Sequence, residues 1–441
     1  MAPLFGTDGI RGVAGAPPLD PGTVSRIGNA LVASLLDSGH RKPPIRIVVG
    51  CDTRESSAGI VAALRGGIEA AGGTVSFAGV VPTPAVAFLV RTLGADAGIS
   101  VSASHNPWED NGVKIFSSAG RKLPDEVESE IEALIGQARP VAPVVAYVDP
   151  SLAGLYIESL SASLPCRLDG LQVVVDAAHG AAYSVAIEAF QAAGATVVPI
   201  GVSPDGRNIN DGYGALHPER MARRTVEAGA DLGVALDGDA DRAIVADEKG
   251  MLLDGDDILF LWALELAREG KKPKVVVGTV MSNLGLELAL RARGIHLLRA
   301  AVGDRYVTEM MEKEAAPLGG EQSGHLIRSD LTTTGDGTLT GLHVAASIVL
   351  GGPLSRQPRI ARTPQILRNV RVRERIPFAE IPGFREEQAR CEGLLDGRGR
   401  ILLRYSGTEA LARVMVEGTE AGLVETVAGS LARRIEEAIG A

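Results

Sequence analysis

The chain has 441 residues, of which 45% are hydrophobic and 22% are charged, as in an ordinary globular protein. This length exceeds what one hydrophobic core supports, so we expect several domains. The formal net charge is −10, aromatic residues make up 4%, and the sequence shows no basic stripe. These values exclude the usual surface of a nucleic-acid-binding protein.

The cysteines and the apolar segments indicate the cellular compartment in which the protein is expected. Cys51, Cys166 and Cys391 are far apart, odd in number and without CxxC spacing, so we expect free thiols in a reducing environment. The first residues lack a charged segment followed by an apolar one, which argues against a signal peptide. The most apolar helical stretch, 258–267, contains Glu265 and is shorter than the roughly 20 residues that cross a bilayer. We expect a cytoplasmic protein with no membrane contact.

Three short runs rich in β-branched residues recur along the chain, at 45–49, 173–175 and 274–277. Each leads into a helix-like stretch that ends near a glycine before a second apolar run. These second runs are 72–75, 194–197 and 294–297. Strand, helix and strand in this order predict α/β layers with parallel or mixed sheets.

A closer internal similarity indicates duplication. The segments 94–101 and 229–236 share the pattern Gly-Ala-Asp followed by a small apolar run. The first copy leads to Ser104 and the second to a cluster of aspartates. Because α/β layers place ligand sites in the loops at strand ends, we predict three similar domains that each offer one functional loop to a shared cleft.

The C-terminal part has a different pattern. Residues 370–373, 401–404 and 412–416 alternate like half-buried strands, and an amphipathic helix is predicted from about 423 to 439. This pattern predicts a smaller α+β domain. The predicted domains are 1–149, 150–250 and 251–364, each α/β, and 365–441.

Ser104 lies in Ser-Ala-Ser-His-Asn-Pro, directly after the apolar run. A serine hydroxyl is a poor nucleophile unless a base, a metal or a phosphoester already on it changes its chemistry. His105 is adjacent, but neighbours in a strand-like loop are expected to point apart, and no G-x-S-x-G elbow is present. Lys114 is close enough to return to the same site as a cation for phosphate. By itself the segment is also typical of a turn.

Asp237, Asp239 and Asp241 alternate after the apolar run 232–236, so their carboxylates can converge on one side. Three such groups together favour a hard cation, and Mg²⁺ is preferred to Ca²⁺ because phosphate chemistry is indicated nearby. An EF-hand is disfavoured by Arg242, which occupies the glycine position. A haloacid-dehalogenase nucleophile and a solvated acidic turn are further interpretations of the same residues.

Two later loops are polar. Glu321, Ser323 and His325 offer acceptors and donors suited to sugar hydroxyls, with an imidazole that could move protons, although a plain polar turn is equally compatible. A second loop combines hydroxyls, glycine-freed N–H groups and guanidinium groups in a pattern typical of an anion site, or of a hairpin turn. Its residues are Arg404, Ser406, Gly407, Thr408 and Arg413.

Taken in order, these motifs resemble the α-D-phosphohexomutase superfamily over nearly the whole chain. The glycine-rich opening 5–12, the loop 303–307, Gln322 and the segment 176–182 are similar to its amino-sugar branch. The opening is not a nucleotide-binding loop, because it has no preceding strand and no Lys-Ser/Thr ending. The resemblance implies four domains around a central cleft. It also implies an isomerase that interconverts glucosamine 6-phosphate and glucosamine 1-phosphate and supplies UDP-N-acetylglucosamine synthesis.

The resemblance also implies residue roles. Ser104 would be the phosphoserine and, with the three aspartates, would bind one Mg²⁺. A sugar 1,6-bisphosphate, of glucose or glucosamine, would act as primer. The implied catalytic residues are Ser104, Arg11, His105, Lys114, Arg242 and His325. The implied substrate-binding residues are Gly303, Asp304, Glu321, Ser323, Arg404, Ser406, Gly407, Thr408 and Arg413.

Alternative functions remain open at this level. A phosphomannomutase/phosphoglucomutase would use the same chemistry on a sugar with a different 2-substituent. A metal-dependent phosphosugar sensor would leave Ser104 unmodified, and a dehalogenase-type phosphatase would carry phosphate on Asp237. The partner is a small phosphosugar in the first two cases. The sequence does not fix the oligomeric state, and a homodimer stays open.

Overall fold

The computed structural model describes residues 4–6, 8–37, 43–406 and 410–441. Its first sheet has six strands in the order β1-β2-β6-β5-β3-β4. The strands are β1 Phe5–Gly6, β2 Gly9–Val13, β3 Ile45–Cys51, β4 Gly73–Val80, β5 Ala97–Val101 and β6 Asp110–Ser117. The helices of this part are α1 Pro21–Asp37, α2 Ser57–Ala70, α3 Thr83–Leu93 and α4 Asp125–Ile135.

Helix α5 (Ser151–Ala162) leads into a second sheet of order β11-β10-β9-β7-β8. The strands are β7 Gln172–Asp176, β8 Thr196–Ile200, β9 Leu232–Leu236, β10 Ala243–Asp247 and β11 Leu252–Leu253. The helices are α6 Val185–Ala192 and α7 Pro218–Ala228, with a short 3-10 helix at Gly214–Leu216.

The third sheet has the order β13-β12-β14-β15. Its strands are β12 Val275–Thr279, β13 His296–Ala300, β14 Leu318–Gly320 and β15 Leu326–Arg328. The helices around it are α8 Gly255–Arg268, α9 Leu284–Arg291, α10 Asp304–Glu314 and α11 Gly337–Gly351, followed by a 3-10 helix at Leu354–Arg356.

All three sheets contain the same four-strand core. Strands β3, β7 and β12 each pair in parallel with two neighbours. One of those neighbours, β5, β9 or β14, then pairs antiparallel with the strand that follows it in the chain. This repeated topology confirms the prediction of three similar α/β domains.

The repeat extends to backbone detail. Helix α3 ends at Gly94 with φ 59° and ψ 37°, and α7 ends at Gly229 with φ 62° and ψ 30°. Both values lie in the left-handed region, where glycine has no Cβ penalty. The strands that follow, β5 and β9, are buried along their whole length. The shared Gly-Ala-Asp pattern therefore reflects one local structure used twice.

In each of the first three domains, the loop that joins two antiparallel strands reaches one shared region. We name these connections the serine loop (102–109), the aspartate loop (237–242) and the glutamate loop (321–325). They occupy equivalent positions, because they join β5 to β6, β9 to β10 and β14 to β15. Their equivalence explains why each carries a different part of one candidate site.

The fourth domain is α+β, as predicted. Its sheet, β16-β18-β17, is antiparallel. The strands are β16 Gln365–Arg371, β17 Gly399–Tyr405 and β18 Leu411–Gly418, and the helices are α12 Phe384–Leu395 and α13 Ala421–Ile439, with a 3-10 helix at Phe378–Glu380. Helix α12 has no counterpart in the sequence prediction, because its polar composition gave no clear apolar stripe.

Apolar packing separates the fourth domain from the others. One large core runs through the first three domains and includes Phe116, Tyr156, Trp262 and Leu342. The fourth domain has its own core, in which Phe384 and Leu431 are fully buried. No helix among the described residues is long and apolar enough to span a bilayer.

A buried histidine in the shared core leads to a stability prediction. His343 on α11 contacts the Ser163 hydroxyl at 3.1 Å, and burial, assisted by Arg328, lowers its pKa to about 4. The unfolded chain takes up this proton near pH 6.5, so folding stability from this group is lost as pH falls from about 6.5 to 4.

We therefore expect His343→Gln to lose less stability than the wild type over that pH interval. Thermal unfolding midpoints at pH 7.5 and pH 5 measure the difference. The exposed His296→Gln variant is the control and should follow the wild type. Equal acid-induced losses in His343→Gln and wild type would contradict this prediction.

Candidate active site

Ser104 is held in the serine loop with an uncommon backbone conformation. Its φ is 51°, and its N–H donates to the Ser102 hydroxyl at 3.0 Å. The left-handed turn brings the Ser104 hydroxyl within 3.5 Å of His105 Nδ1. The expectation that these two side chains point apart was wrong, because it assumed strand-like backbone at this position.

The three aspartates converge as predicted. Asp237, Asp239 and Asp241 are buried, and one carboxylate oxygen from each lies within 4.8 Å of the others. The Ser104 hydroxyl donates a hydrogen bond to Asp237 Oδ2 at 2.6 Å. Residues that are 133 positions apart in the chain therefore meet where the serine loop contacts the aspartate loop.

Close approach of these two loops requires glycine at position 238. A Cβ atom there would lie 2.5 Å from the Ser104 carbonyl oxygen, inside any real contact distance. Ala240 then turns with φ 55°, and Asp237 faces the serine. A larger residue at 238 would separate the hydroxyl from the carboxylates.

The aspartate loop fits a hard divalent cation. Asp239 Oδ1 and Asp241 Oδ1 are buried, and neither has a hydrogen-bond partner within the described parts of the chain. Three converging carboxylates with unpaired oxygens are costly without a cation, and oxygen ligands are those that Mg²⁺ takes. The donor set therefore fits Mg²⁺, as the sequence predicted for these residues.

Two of the carboxyl groups have opposite pKa shifts. Burial, together with the charges of Asp241 and Asp239, raises the pKa of Asp237 to about 8. Burial also acts on Asp241, but Lys114 and His325 hold its pKa well below its usual range. Asp237 thus retains a proton at neutral pH where Asp241 is ionised, which relieves the repulsion between these buried groups.

Lys114 returns to this site from strand β6. It is almost fully buried, and its Nζ lies 2.8 Å from Asp239, 3.0 Å from Asp8 and 3.6 Å from Asp241. Burial alone would lower the pKa of Lys114, but Asp239 and Asp8 raise it well above its usual value. The ammonium group therefore stays charged among these three carboxylates.

Two cations flank the serine loop. Arg11 on β2 pairs with Asp8 and donates to Asn106 Oδ1 at 3.1 Å. The backbone N–H of Arg242 donates to Asp237 Oδ1 at 3.2 Å, and its guanidinium Nε lies 3.7 Å from Asp241 Oδ1. Burial lowers the pKa of His105, and Arg242 and Arg11 lower it further, so its imidazole is neutral at neutral pH.

The glutamate loop brings a carboxylate and a hydroxyl group to the same region. Glu321 Oε1 accepts the Gly303 N–H at 2.9 Å, and its other oxygen lies 3.5 Å from the Ser323 hydroxyl. These contacts leave carboxylate lone pairs and a hydroxyl for a polar ligand. Asp304 begins helix α10 next to Gly303, so this predicted pair also lies beside the glutamate loop.

His325 links this loop to the aspartate loop. Its Nδ1 lies 3.6 Å from Asp241 Oδ2, and its Nε2 lies 3.8 Å from Asp304. Burial would lower the pKa of His325, but Asp241 raises it. The Gly335 N–H donates to Nε2 at 3.0 Å, so Nε2 acts as an acceptor and the ring proton is on Nδ1, facing Asp241.

The sheet of the fourth domain carries a second set of cationic side chains, Arg404 and Arg413. Arg404 on β17 pairs directly opposite Arg413 on β18, and an Arg413 N–H lies 3.4 Å from the Ser406 hydroxyl. Two guanidinium groups on opposite strands can together bind an anion. Tyr405 fixes the strand end by stacking on Phe378 at 4.6 Å. The predicted residues Gly407 and Thr408 lie outside the described residues.

Sequence reasoning missed several residues of this site. Asp8 pairs with Arg11, Lys114 and Lys122, although it stood unassigned in the glycine-rich opening. Lys122 bridges Asp8 to Asp304 and so joins the first domain to the third. Asp8 could have been found from the opening motif, whereas nothing around Lys122 in the sequence marks it.

The fold and this site define a phosphohexomutase-type isomerase. Sequence models of the alpha/beta/alpha domains I, II and III and the C-terminal domain of phosphoglucomutase/phosphomannomutase match residues 2–141, 155–250, 254–358 and 367–434. The chain belongs to the phosphoglucomutase/phosphomannomutase family.

Curated relatives with high identity to this chain carry the name of one branch of the family. Phosphoglucosamine mutases from Anaeromyxobacter dehalogenans and Solidesulfovibrio magneticus are 47% and 48% identical to this chain, over 99% of both chains in each case. A phosphoglucosamine mutase from Alcanivorax borkumensis is 47% identical over the same share. The chain is thus similar along its whole length to the amino-sugar branch that its motifs predicted.

Solved structures share the fold. A phosphoglucomutase/phosphomannomutase family protein from Burkholderia thailandensis has a TM-score of 0.78 at 24% identity, covering 99% of this chain and 97% of its own. The N-acetylphosphoglucosamine mutase of Aspergillus fumigatus, crystallised with GlcNAc-6P and magnesium, has a TM-score of 0.65 at 19% identity, covering 99% and 96%. At these identities the likeness concerns the four-domain architecture.

Proposed function

We propose that this protein is a phosphoglucosamine mutase, which interconverts glucosamine 6-phosphate and glucosamine 1-phosphate. The observation that carries this proposal is the 2.6 Å hydrogen bond from the Ser104 hydroxyl to Asp237, within a group of three buried carboxylates. A serine beside a cation site can carry a phosphoryl group and pass it on. The similarity to curated phosphoglucosamine mutases supports the amino sugar as substrate.

The proposed reaction has two transfers. The sugar hydroxyl oxygen attacks the phosphorus of phosphorylated Ser104, the P–O bond to Ser104 Oγ breaks, and the proton of the sugar hydroxyl passes to the neutral imidazole of His105. The products are a sugar 1,6-bisphosphate and the Ser104 alkoxide, which takes up the proton held by His105, whose Nδ1 lies 3.5 Å from Ser104 Oγ. The bisphosphate then turns in the cleft, and its other phosphate returns to Ser104 by the reverse steps, so no phosphate is lost.

The charges of the site serve these transfers. Phosphoryl transfer develops negative charge on the equatorial oxygens, and catalysis depends on positioning and electrostatic stabilisation. Lys114, Arg11 and Arg242 contact Asp239, Asn106 and Asp237 of the serine and aspartate loops and would supply fixed positive charge there. Bound Mg²⁺ would be held by Asp237, Asp239 and Asp241 and would supply further charge neutralisation at the phosphoryl group.

Substrate recognition is assigned to the third and fourth domains. Glu321 and Ser323 would bind sugar hydroxyls, Asp304 and His325 would line the same side, and Arg404, Ser406 and Arg413 would bind the phosphate that is not being transferred. We extend the phosphate assignment to Gly407 and Thr408. Because the fourth domain has a separate core, we propose that it loosens at a hinge near Pro364 to let the bisphosphate turn.

Three further proposals accompany this function. The domain boundaries near 149, 250 and 364 are retained, with the second one moved a few residues on, because β11 (Leu252–Leu253) still pairs in the second sheet. A sugar 1,6-bisphosphate is proposed as the primer that phosphorylates Ser104 in the unmodified enzyme. A cytoplasmic location is supported by three unpaired cysteines, and the homodimer is left to measurement.

Mass spectrometry of the intact protein and of its Ser104 peptide tests the function. The protein is incubated with Mg²⁺, glucosamine 6-phosphate and a trace of sugar bisphosphate. A phosphoryl group on Ser104 that exchanges with the sugar is the expected result. Side-by-side turnover of glucosamine, glucose and mannose phosphates then tests the sugar. An unmodified Ser104, or phosphate on Asp237 with release of free phosphate, would overturn the proposal.

The paired arginines of the fourth domain lead to a binding prediction. We expect Arg404→Gln to raise the KM for glucosamine 6-phosphate by about 10- to 100-fold, because a guanidinium–phosphate pair is lost. Steady-state kinetics measure the change. Arg368→Gln on strand β16 of the same sheet is the matched control, since Arg368 is exposed and pairs with Glu425. A KM unchanged in Arg404→Gln would place the phosphate elsewhere.

A further inference from the structure

Arg54 contacts the backbone of the serine loop. Its side chain has no exposed surface, and its Nη2 donates to the carbonyl oxygens of Ser104 at 3.1 Å and of Asn106 at 2.6 Å. Its Nη1 pairs with Asp52 and lies 3.4 Å from the Ser102 hydroxyl. A fully buried guanidinium group is costly unless its charge and its N–H groups are used.

Asn210 reaches the same two carbonyl oxygens from the second domain. Its Nδ2 donates to the Ser104 carbonyl at 2.9 Å and to the Asn106 carbonyl at 3.2 Å. Asn210 has a φ of 63°, and its own N–H is held by the Ala178 carbonyl at 2.9 Å. Two side chains from different domains therefore hold one pair of carbonyl groups.

Asp52 anchors this arrangement on the first domain. Its Oδ1 accepts hydrogen bonds from the backbone N–H of Arg54 at 3.0 Å and from the Ser57 hydroxyl at 2.8 Å. Its Oδ2 accepts one from the Ser102 hydroxyl at 2.6 Å. The Ser102 hydroxyl in turn accepts the N–H of Ser104. The backbone of Ser104 is thus fixed at both its N–H and its carbonyl group by one connected network.

The network faces the strained residue of the site. Ser104 has a left-handed backbone, which costs a non-glycine residue free energy unless surrounding contacts hold it. That conformation directs the hydroxyl to Asp237, and a 1 Å displacement of a reacting group can cost about 100-fold in rate. The contacts that hold the Ser104 carbonyl therefore also fix where its phosphoryl group is presented.

We propose that Arg54 and Asn210 form a two-domain clamp that positions Ser104 for phosphoryl transfer. They are positioning residues, since they contact the backbone of the serine loop and act through Ser104. This inference rests on the proposed function. The clamp acts on the rate of transfer between Ser104 and the sugar, and it leaves substrate binding by the third and fourth domains intact.

Asn210→Gly is the first test variant, because glycine keeps the left-handed backbone and removes only the amide donor. We expect the single-turnover rate of phosphoryl transfer from phosphorylated Ser104 to glucosamine 6-phosphate to fall about 10- to 100-fold, with KM changed less than about 3-fold. Asn208→Gly is the matched control on the same loop. Among the described residues its amide bonds only to Ser203 and Asp205, so its transfer rate should stay near that of the wild type.

Arg54→Lys is the second variant, because an ammonium group keeps the charge but cannot hold Asp52 and two carbonyl oxygens in the planar geometry of guanidinium. Its control is Arg359→Lys, which bonds to Asp247 and the Leu354 carbonyl away from the site. Both substitutions should lower the thermal midpoint, and only Arg54→Lys should slow transfer. Rapid-quench assays of isotopically labelled phosphoserine measure the rate on folded protein.

The outcomes separate the clamp from the proposed function. Wild-type transfer with slow transfer in Asn210→Gly and normal transfer in Asn208→Gly supports the clamp. Wild-type transfer with an unchanged rate in Asn210→Gly overturns the clamp and leaves the mutase function standing. A raised KM with an unchanged transfer rate in Asn210→Gly also overturns it. No transfer in the wild type overturns the function itself.

Discussion

Ser104→Ala is expected to lower mutase turnover by at least about 10³-fold, because the variant has no oxygen to carry the phosphoryl group between the two transfers. The loss should appear in kcat, and binding of glucosamine 6-phosphate should persist, since the glutamate loop and the arginine pair are untouched. A coupled assay gives turnover, and calorimetric titration with the sugar phosphate gives binding.

The surrounding site should tolerate this change. Alanine removes one hydroxyl whose partner, Asp237, keeps its place among the other carboxylates, so the thermal midpoint should move by only a few degrees. Ser129→Ala on the exposed face of α4 is the control, because it also deletes one serine hydroxyl. Turnover in Ser104→Ala close to that of the wild type would refute the phosphoserine mechanism outright.

Asp237→Asn is expected to abolish Mg²⁺-dependent activity, with turnover lowered about 10³-fold and Mg²⁺ affinity lowered at least about 100-fold. The amide has the shape of the carboxyl group but not its charge, and a hard cation needs anionic oxygen ligands. Calorimetric titration of the chelator-treated protein with Mg²⁺ measures the affinity. In chelator at neutral pH the variant should be about as stable as the wild type, because the raised pKa of Asp237, about 8, already keeps that carboxyl group protonated.

Metal removal provides the second half of this test. Mg²⁺ should raise the thermal midpoint of the wild type and not that of Asp237→Asn, since a ligand stabilises only a protein that binds it. Asp247→Asn is the matched control, because Asp247 is a buried carboxylate on the same domain that pairs with Arg359. It should lose stability and still bind Mg²⁺. Equal Mg²⁺ affinity in Asp237→Asn and wild type would remove the aspartate loop as the metal site.

Much of the architecture could be predicted from local patterns. The β-branched runs became the central strands β3, β7 and β12, and the repeated Gly-Ala-Asp segments became equivalent helix ends and strands. Such elements are visible in a sequence because burial imposes a period on neighbouring residues. The convergence of Asp237, Asp239 and Asp241 was predictable for the same reason, since their spacing is local.

Other features could not be read from neighbouring residues. Helix α12 is mostly polar, and Ser104 and His105 were expected to diverge because nothing local announces a left-handed serine. Asp8 and Lys122 have their partners on other segments, so their pairing depends on how the domains pack.

The sequence by itself determined the three α/β units, the fourth α+β unit, the candidate serine and the acidic group, because each is a short pattern with its own chemistry. Only the tertiary structure decided that Ser104 meets Asp237, and that Arg54 and Asn210 hold the serine loop from two domains. The physical reason is the separation along the sequence over which each signal acts. Periodicity and spacing act over a few residues, whereas these contacts join positions 50 to 133 apart and exist only once the packed sheets bring their equivalent loops together.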